Sequence, residues 1–249
     1  MSKTVKFKGV KKVKWILNKV FVGLPKTMGS KEAVNPMERE WTSAIFKEPV
    51  EGPIWVGKTG LTGDGVADLE HHGGPEKAVF AYSIENYTYW RNELDISDIS
   101  AGGMGENLVM EHATEETVSI GDTFQIGEAI IQVSQPRQPC WKPARRFKIK
   151  NLALLLQNTG KTGWYFRVLQ EGYIEEGQTF TLLDRPYPHW TIQKCNQILH
   201  GKQQNFIEMQ ELAGCELLAP GMRATLSKRI EKRNSSAPDI RNRVFGPNE

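Results

Sequence analysis

The sequence predicts a mainly β fold, a barrel or sandwich reaching to about residue 187, followed by a small α-helical extension. Two observations carry this. Many short apolar runs are punctuated by Gly, Pro and Asp, and beyond Pro186 and Pro188 the apolar spacing turns helical. The size agrees, since 249 residues suit one large domain or one domain with an appendage. The hydrophobic share of 39% and charged share of 24% are ordinary for a globular protein.

Residues 20–23, 42–46 and 55–58 read as short strands, and 59–68 as a glycine-rich turn. Residues 78–82 form an apolar strand. Ser83 is then expected to cap a helix with Glu85 in its first turn, and Ile84, Tyr87, Trp90 and Leu94 recur at helical spacing. Residues 118–122 lead into a strand at 123–126, a tight turn, and a strand at 129–134, which is a meander pattern. A short helix over 150–158 closes at Gly160. Residues 163–169 and 179–183 are the last strands. Helical spacing then covers 191–200, 205–213 and 222–233, and the tail 234–249 is expected to be loose.

Several function classes fall away early. No apolar run approaches the roughly 18 residues that span a bilayer, and no apolar stretch precedes Trp15 to serve as a secretion signal. Three scattered cysteines, Cys140, Cys195 and Cys215, make neither a disulfide framework nor a zinc knuckle. The expected location is the cytoplasm. Net charge is only +3, although lysines crowd the first 26 residues and basic residues load the C-terminus. Both ends read as solvated surface rather than a nucleic-acid footprint. Three glycine patterns, at 103–108, 160–162 and 60–65, lack the further glycines or following helices that phosphate loops need, and read as turns.

The chemistry concentrates elsewhere. Gln135 to Pro143 holds Cys140 among three prolines, so it is expected to be a stiff loop outside helix and paired strand. Arg137, Lys142, Arg145 and Arg146 surround the thiol with positive charge, which favours the thiolate that attacks electrophiles or binds metals. His71 and His72, followed by Gly73 and Gly74 and then Glu76 and Lys77, offer imidazoles that can hold a metal, bind an anion or exchange protons. Asp64 and Asp68 are placed to orient those rings. Along 163–169 the side chains alternate. Trp164, Phe166 and Val168 share a core face, while Tyr165 and Arg167 share the other, suited to an anionic or planar ligand. A Cys–His hydrolase using Cys140 with His71 or His72 is an alternative, without a local oxyanion-hole signature.

These segments resemble one family. The carriers are Gly60-Leu61-Thr62-Gly63-Asp64, His71-His72-Gly73-Gly74-Pro75-Glu76-Lys77, Gly105-Glu106-Asn107-Leu108, Pro136-Arg137-Gln138-Pro139-Cys140 and Thr162-Gly163-Trp164-Tyr165-Phe166-Arg167. In that order they resemble MOSC-domain proteins of the YiiM-type group, named for the C-terminal domain of molybdenum cofactor sulfurase. The resemblance implies a MOSC β-barrel over 20–187, a three-helix extension within 188–249, and a basic N-terminal extension, 1–19, outside the pattern.

It also implies a function. Cys140 would ligate molybdenum or carry sulfur, and would act with His72 in catalysis. His71, Lys77, Asn107, Arg137, Lys142, Tyr165 and Arg167 would bind the molybdenum cofactor (molybdopterin) or line its pocket. The implied activity is reduction of small N-hydroxylated substrates. Because the chain has no flavin, haem or iron–sulfur motif, a separate redox partner protein would supply electrons. A non-catalytic carrier of cofactor or of persulfide sulfur on Cys140 is the alternative. The apolar stripe Ile192, Cys195, Ile198 and Leu199 suits a barrel flank or a homodimer interface.

Overall fold

The computed structural model describes residues 14–68, 72–94, 96–201, 205–232 and 240–248. The first half holds strands β1 (Trp15–Val22), β2 (Lys26–Met28), β3 (Trp41–Ser43), β4 (Glu48–Pro49), β5 (Ile54–Gly57), β6 (Gly60–Leu61) and β7 (Val79–Ser83), then helix α1 (Ile84–Leu94). Next come β8 (Leu108–Glu111), β9 (Thr123–Ile126), β10 (Ala129–Pro136), α2 (Lys142–Phe147), α3 (Leu152–Thr159), β11 (Trp164–Gln170), β12 (Gly172–Ile174) and β13 (Thr179–Asp184). The extension holds α4 (Ile192–His200), α5 (Phe206–Ala213), α6 (Pro220–Glu231) and α7 (Arg241–Val244).

Seven strands close a barrel in the order β13-β9-β10-β11-β7-β8-β1, and β1 pairs back onto β13 through Trp15 with Phe180. Closure removes the open edges that would otherwise template aggregation. Neighbouring barrel strands are antiparallel except β7 and β8, which run parallel with Ala81 opposite Leu108. A parallel pair needs a long crossover, and α1 with the loop after it supplies one. Strand β4 hangs on β1, while β5, β6 and β12 form a small separate sheet.

The barrel starts earlier than the sequence suggests. β1 begins at Trp15, inside the stretch assigned to the basic extension, because Leu17 and Val20 bury at 0% and 2% exposure between lysines that face out. A bulge between Leu17 and Lys19 lets the Leu17 and Val20 side chains, three residues apart, both turn into the barrel. Two further expectations change. Ser83 ends β7 and directly precedes α1, with Glu85 in the first turn as expected, but its hydroxyl donates to the Glu85 carboxylate. The proline-rich segment is shorter as a loop than expected. Pro136 is the last paired residue of β10, opposite Trp164, and Pro143 lies in the first turn of α2. Neither place needs an amide donor from proline, so both tolerate it.

Barrel and extension share one core. Phe124, Phe166 and Val133 from the barrel join Ile192, Cys195, Leu212 and Leu226 from α4 to α6 in a continuous buried cluster. The stripe on α4 therefore covers a barrel flank. Thr191 and Asn205 cap α4 and α5 by accepting from Lys194 N at 3.1 Å and Glu208 N at 3.2 Å. Gly160 closes α3 with φ near +73°, a conformation costly for residues with a Cβ. Of the expected loose tail, the described residues 240–248 are fastened: Val244 and Asn248 are buried at 0% and 2% exposure. Among the described residues no helix is long and apolar enough to cross a membrane.

Candidate active site

The site grows from the ends of β10 and β11. After Pro136 pairs with Trp164, Arg137 N donates to Gly163 O at 3.0 Å, and the chain leaves the sheet. Residues 137–141 then cross the barrel mouth before α2 begins, which sets the half-buried Cys140 between two chambers. The barrel-side chamber, about 320 Å³, is lined by Cys140 and by four cationic side chains, Lys47, Lys77, Arg137 and Lys142. The helix-side chamber, about 800 Å³, shares Cys140, His72, Lys77, Lys142 and Tyr165 with the first and extends to Met222 of α6 and Arg243 of α7.

Arg137 is the most telling group in the barrel-side chamber. Its residue exposure is 5%, its guanidinium lies 5.1 Å from the Phe80 ring centroid, and it lines the chamber beside Tyr165. Yet its Nη1 has no hydrogen-bond partner. An orphaned buried guanidinium nitrogen is costly, and in a cation-lined chamber it is suited to receive an anionic ligand oxygen. Burial pushes the Tyr165 phenol up to about 12, with Arg137 pulling the other way, so the hydroxyl stays protonated.

His72 is a neutral imidazole here. Burial pushes its pKa down to about 4, and Lys142, Arg137 and Lys77 push the same way against Asp68. The folded value lies below the unfolded one, so the unfolded chain takes up the proton first as pH falls. His72 therefore costs nothing above its ordinary value, and stability is lost as pH drops from about 6.5 towards about 4. In protein made without cofactor, an NMR titration of the His72 ring should show a midpoint near 4. A midpoint at the ordinary imidazole value would overturn the buried, cation-flanked placement.

Lys47 went unnoticed in the sequence. It lies in a segment with no motif, and its place emerges only when the chain folds Asp64 against it. The pair is nearly closed off, with side-chain exposures of 5% and 11%. Burial lowers the Lys47 pKa, and the Asp64 carboxylate opposes that. Asp64 also accepts from Gly23 N at 2.9 Å and from Asn107 Nδ2 at 2.8 Å. Asp64 thus holds Lys47 and Asn107 rather than a histidine ring. Asn107 lines the chamber, but its amide is committed to the protein, since Oδ1 accepts from Phe80 N at 3.0 Å.

Arg167 is a correction. It shares a strand face with Tyr165, as expected, but lines neither chamber. Two residues of strand carry it about 7 Å further from the mouth. There it binds Glu76 through Nε at 2.9 Å, Gln132 Oε1 at 2.7 Å and Leu217 O at 2.9 Å. It ties the barrel to the helical extension. The structure does bring Cys140, His72, Lys77, Asn107, Arg137, Lys142 and Tyr165 around one chamber. His71 lies outside the described residues. Among the described residues, no three His, Cys, Asp or Glu side chains converge to hold a metal.

Fold and site together match a known class. The MOSC domain is recognised over residues 68–181, and the YiiM-like, 3-alpha helix domain over 190–233. The chain belongs to the MOSC-domain family, in its YiiM-like branch with the three-helix extension. It is 39% identical over 190 residues to YflK of Bacillus subtilis, covering 76% of this chain and 86% of that one, a protein described as uncharacterized. It is 38% identical over 184 residues to a protein of Gibberella moniliformis named "Reductase", covering 72% of this chain but only 32% of that longer protein. The crystal structure of YiiM from Geobacillus stearothermophilus superposes with a TM-score of 0.72 at 35% identity, over 87% of this chain and 99% of that one.

Proposed function

We propose that this chain is a molybdenum-cofactor-dependent reductase of N-hydroxylated compounds, working with a separate electron-donor protein. The observation that carries the reading is a lone half-buried thiol on a chamber lined by cations, one of which keeps a buried unpaired donor. The donor set fits the group. A metal gripped by a single protein thiol must bring its other ligands with it, as a pterin dithiolene does, and a soft thiolate suits that partner. A pterin phosphate needs charge-assisted donors, and Arg137 Nη1 offers one.

In this reading Cys140 grips the metal, and Arg137, Lys77 and Lys142 hold the anionic parts of the cofactor. Lys47, paired with Asp64, forms part of the chamber wall. The bound cofactor would supply a two-electron redox centre. Reduction of an N–OH group to N–H breaks the N–O bond, takes two electrons and two protons, and releases water. Of the residues near Cys140, Tyr165 keeps a phenolic proton to donate as a hydrogen bond. Lys77, whose ammonium is disfavoured first by burial, borders both chambers and is positioned to pass protons inward. The Gibberella relative supports a reductive role by its name.

The test is metal and pterin analysis of protein made in a cofactor-competent host, followed by reduction of an N-hydroxylated purine with a supplied donor. Molybdenum near one atom per chain with turnover supports the reading. A sulfur adduct on Cys140 without turnover would replace it with a carrier role, and absence of cofactor and turnover would end it.

A further inference from the structure

The tail beyond the recognised three-helix domain returns to the thiol. α7 and the turn after it lie over residues 139–141, and the contacts flank Cys140 on both sides. Arg243 Nη1 donates to the carbonyl of Pro139, just before the cysteine. Trp141 N, just after it, donates to Arg243 O at 3.0 Å. The other guanidinium nitrogen, Nη2, reaches Gln157 Oε1 on α3 at 2.6 Å, which braces the clasp against the barrel side.

The rest of the tail fastens the same spot. Asn248 Oδ1 accepts from Arg145 Nε at 2.6 Å, and Arg145 Nη2 donates to Pro247 O at 3.1 Å. Gly246 adopts φ near +51°, and a Cβ there would land inside the Trp141 ring. The tail is therefore built to lie flat on Trp141. Its Arg243 also forms part of the helix-side wall next to Cys140.

We propose that residues 240–248 are a clasp that positions Cys140 between the two chambers, and that Arg243 is its principal positioning residue. Arg243 acts through the backbone on either side of the cysteine, with Nη1 and Nη2 each held by a protein acceptor. The functional importance of this placement rests on the reading of Cys140 as the metal-gripping thiol. The clasp itself does not.

The test uses the full chain with Arg243→Ala, Arg243→Lys and Gly246→Ala. The last variant lifts the tail by steric conflict without touching the charge, so it serves if the first disturbs folding. In protein from a cofactor-deficient host, amide exchange in the peptide spanning 138–146 should quicken at least tenfold in Arg243→Ala and Gly246→Ala. Barrel peptides should be unchanged, and Arg243→Lys should recover most of the protection. In protein from a cofactor-competent host, molybdenum per chain should fall at least fivefold in the first two variants and recover in Arg243→Lys. Unchanged exchange over 138–146 overturns the clasp. Quickened exchange with full molybdenum overturns its role in positioning Cys140. Wild-type protein without molybdenum overturns the proposed function instead, and the exchange result then decides the clasp alone.

Discussion

Cys140→Ser is expected to leave the fold intact while metal content and reductase turnover each fall by at least about a hundredfold. Loss of supporting groups around a metal ligand already costs roughly 10–100-fold, and loss of the only thiol in the site removes the bond itself. Serine has nearly the same shape, and the thiol is half-buried without a packing role, so stability should change by less than about 1 kcal/mol. Cys195→Ser supplies the contrast. Cys195, on α4, is fully buried against the barrel, and burial pushes its thiol above the ordinary range. Placing a hydroxyl there costs about 1–3 kcal/mol, with molybdenum retained per folded chain. Metal analysis beside thermal unfolding separates the two. If Cys140→Ser keeps full molybdenum, the thiol is not the ligand and the site reading fails.

The sequence made local features legible and long-range ones obscure. Strand β9 and the turn into β10 could be read because alternation and a Gly-Glu turn lie within a dozen residues. Cys140, Arg137 and Lys142 stood out because prolines and cations cluster in one segment. Tyr165 and Arg167 share a face by period, but a strand face says nothing about how far along it the cavity reaches. Arg167 was misplaced for that reason. Lys47 and Arg243 were missed because each acquires its role only from a partner distant in the chain, Asp64 in one case and Pro139 in the other. The tail looked loose because Asn, Ser, Pro and Gly dominate it. Its fastening comes from Arg145 and Trp141, about a hundred residues earlier.

The largest stability effect is expected from a residue that lines neither chamber. Glu106 is fully buried in the loop between α1 and β8. Its carboxylate gathers three donors: Gly102 N at 2.8 Å, Met104 N at 3.1 Å and the Tyr87 hydroxyl. Glu106→Ala leaves Gly102 N and the Tyr87 hydroxyl proton without an acceptor, while Met104 N keeps the Tyr87 hydroxyl oxygen at 3.1 Å, and each orphan costs on the order of 1–3 kcal/mol. With partial relaxation the loss should be about 2–4 kcal/mol, or roughly 10 °C in thermal midpoint for a domain of this size. Glu106→Gln keeps one acceptor oxygen for Tyr87 and Gly102 but turns an amino group towards Met104 N, so about 1–2 kcal/mol is expected. The damage should reach the site through the next residue. Asn107 fixes Asp64, and Asp64 holds Lys47 against the chamber wall. Glu106→Ala protein, kept cold enough to remain folded, should therefore also retain less molybdenum than wild type, while Glu106→Gln retains nearly all of it. Denaturant unfolding and metal analysis on the same preparations check both parts. A stability change below about 1 kcal/mol for Glu106→Ala would mean that Gly102 N and the Tyr87 hydroxyl find other partners, and the proposed link from this loop to Lys47 would lose its basis.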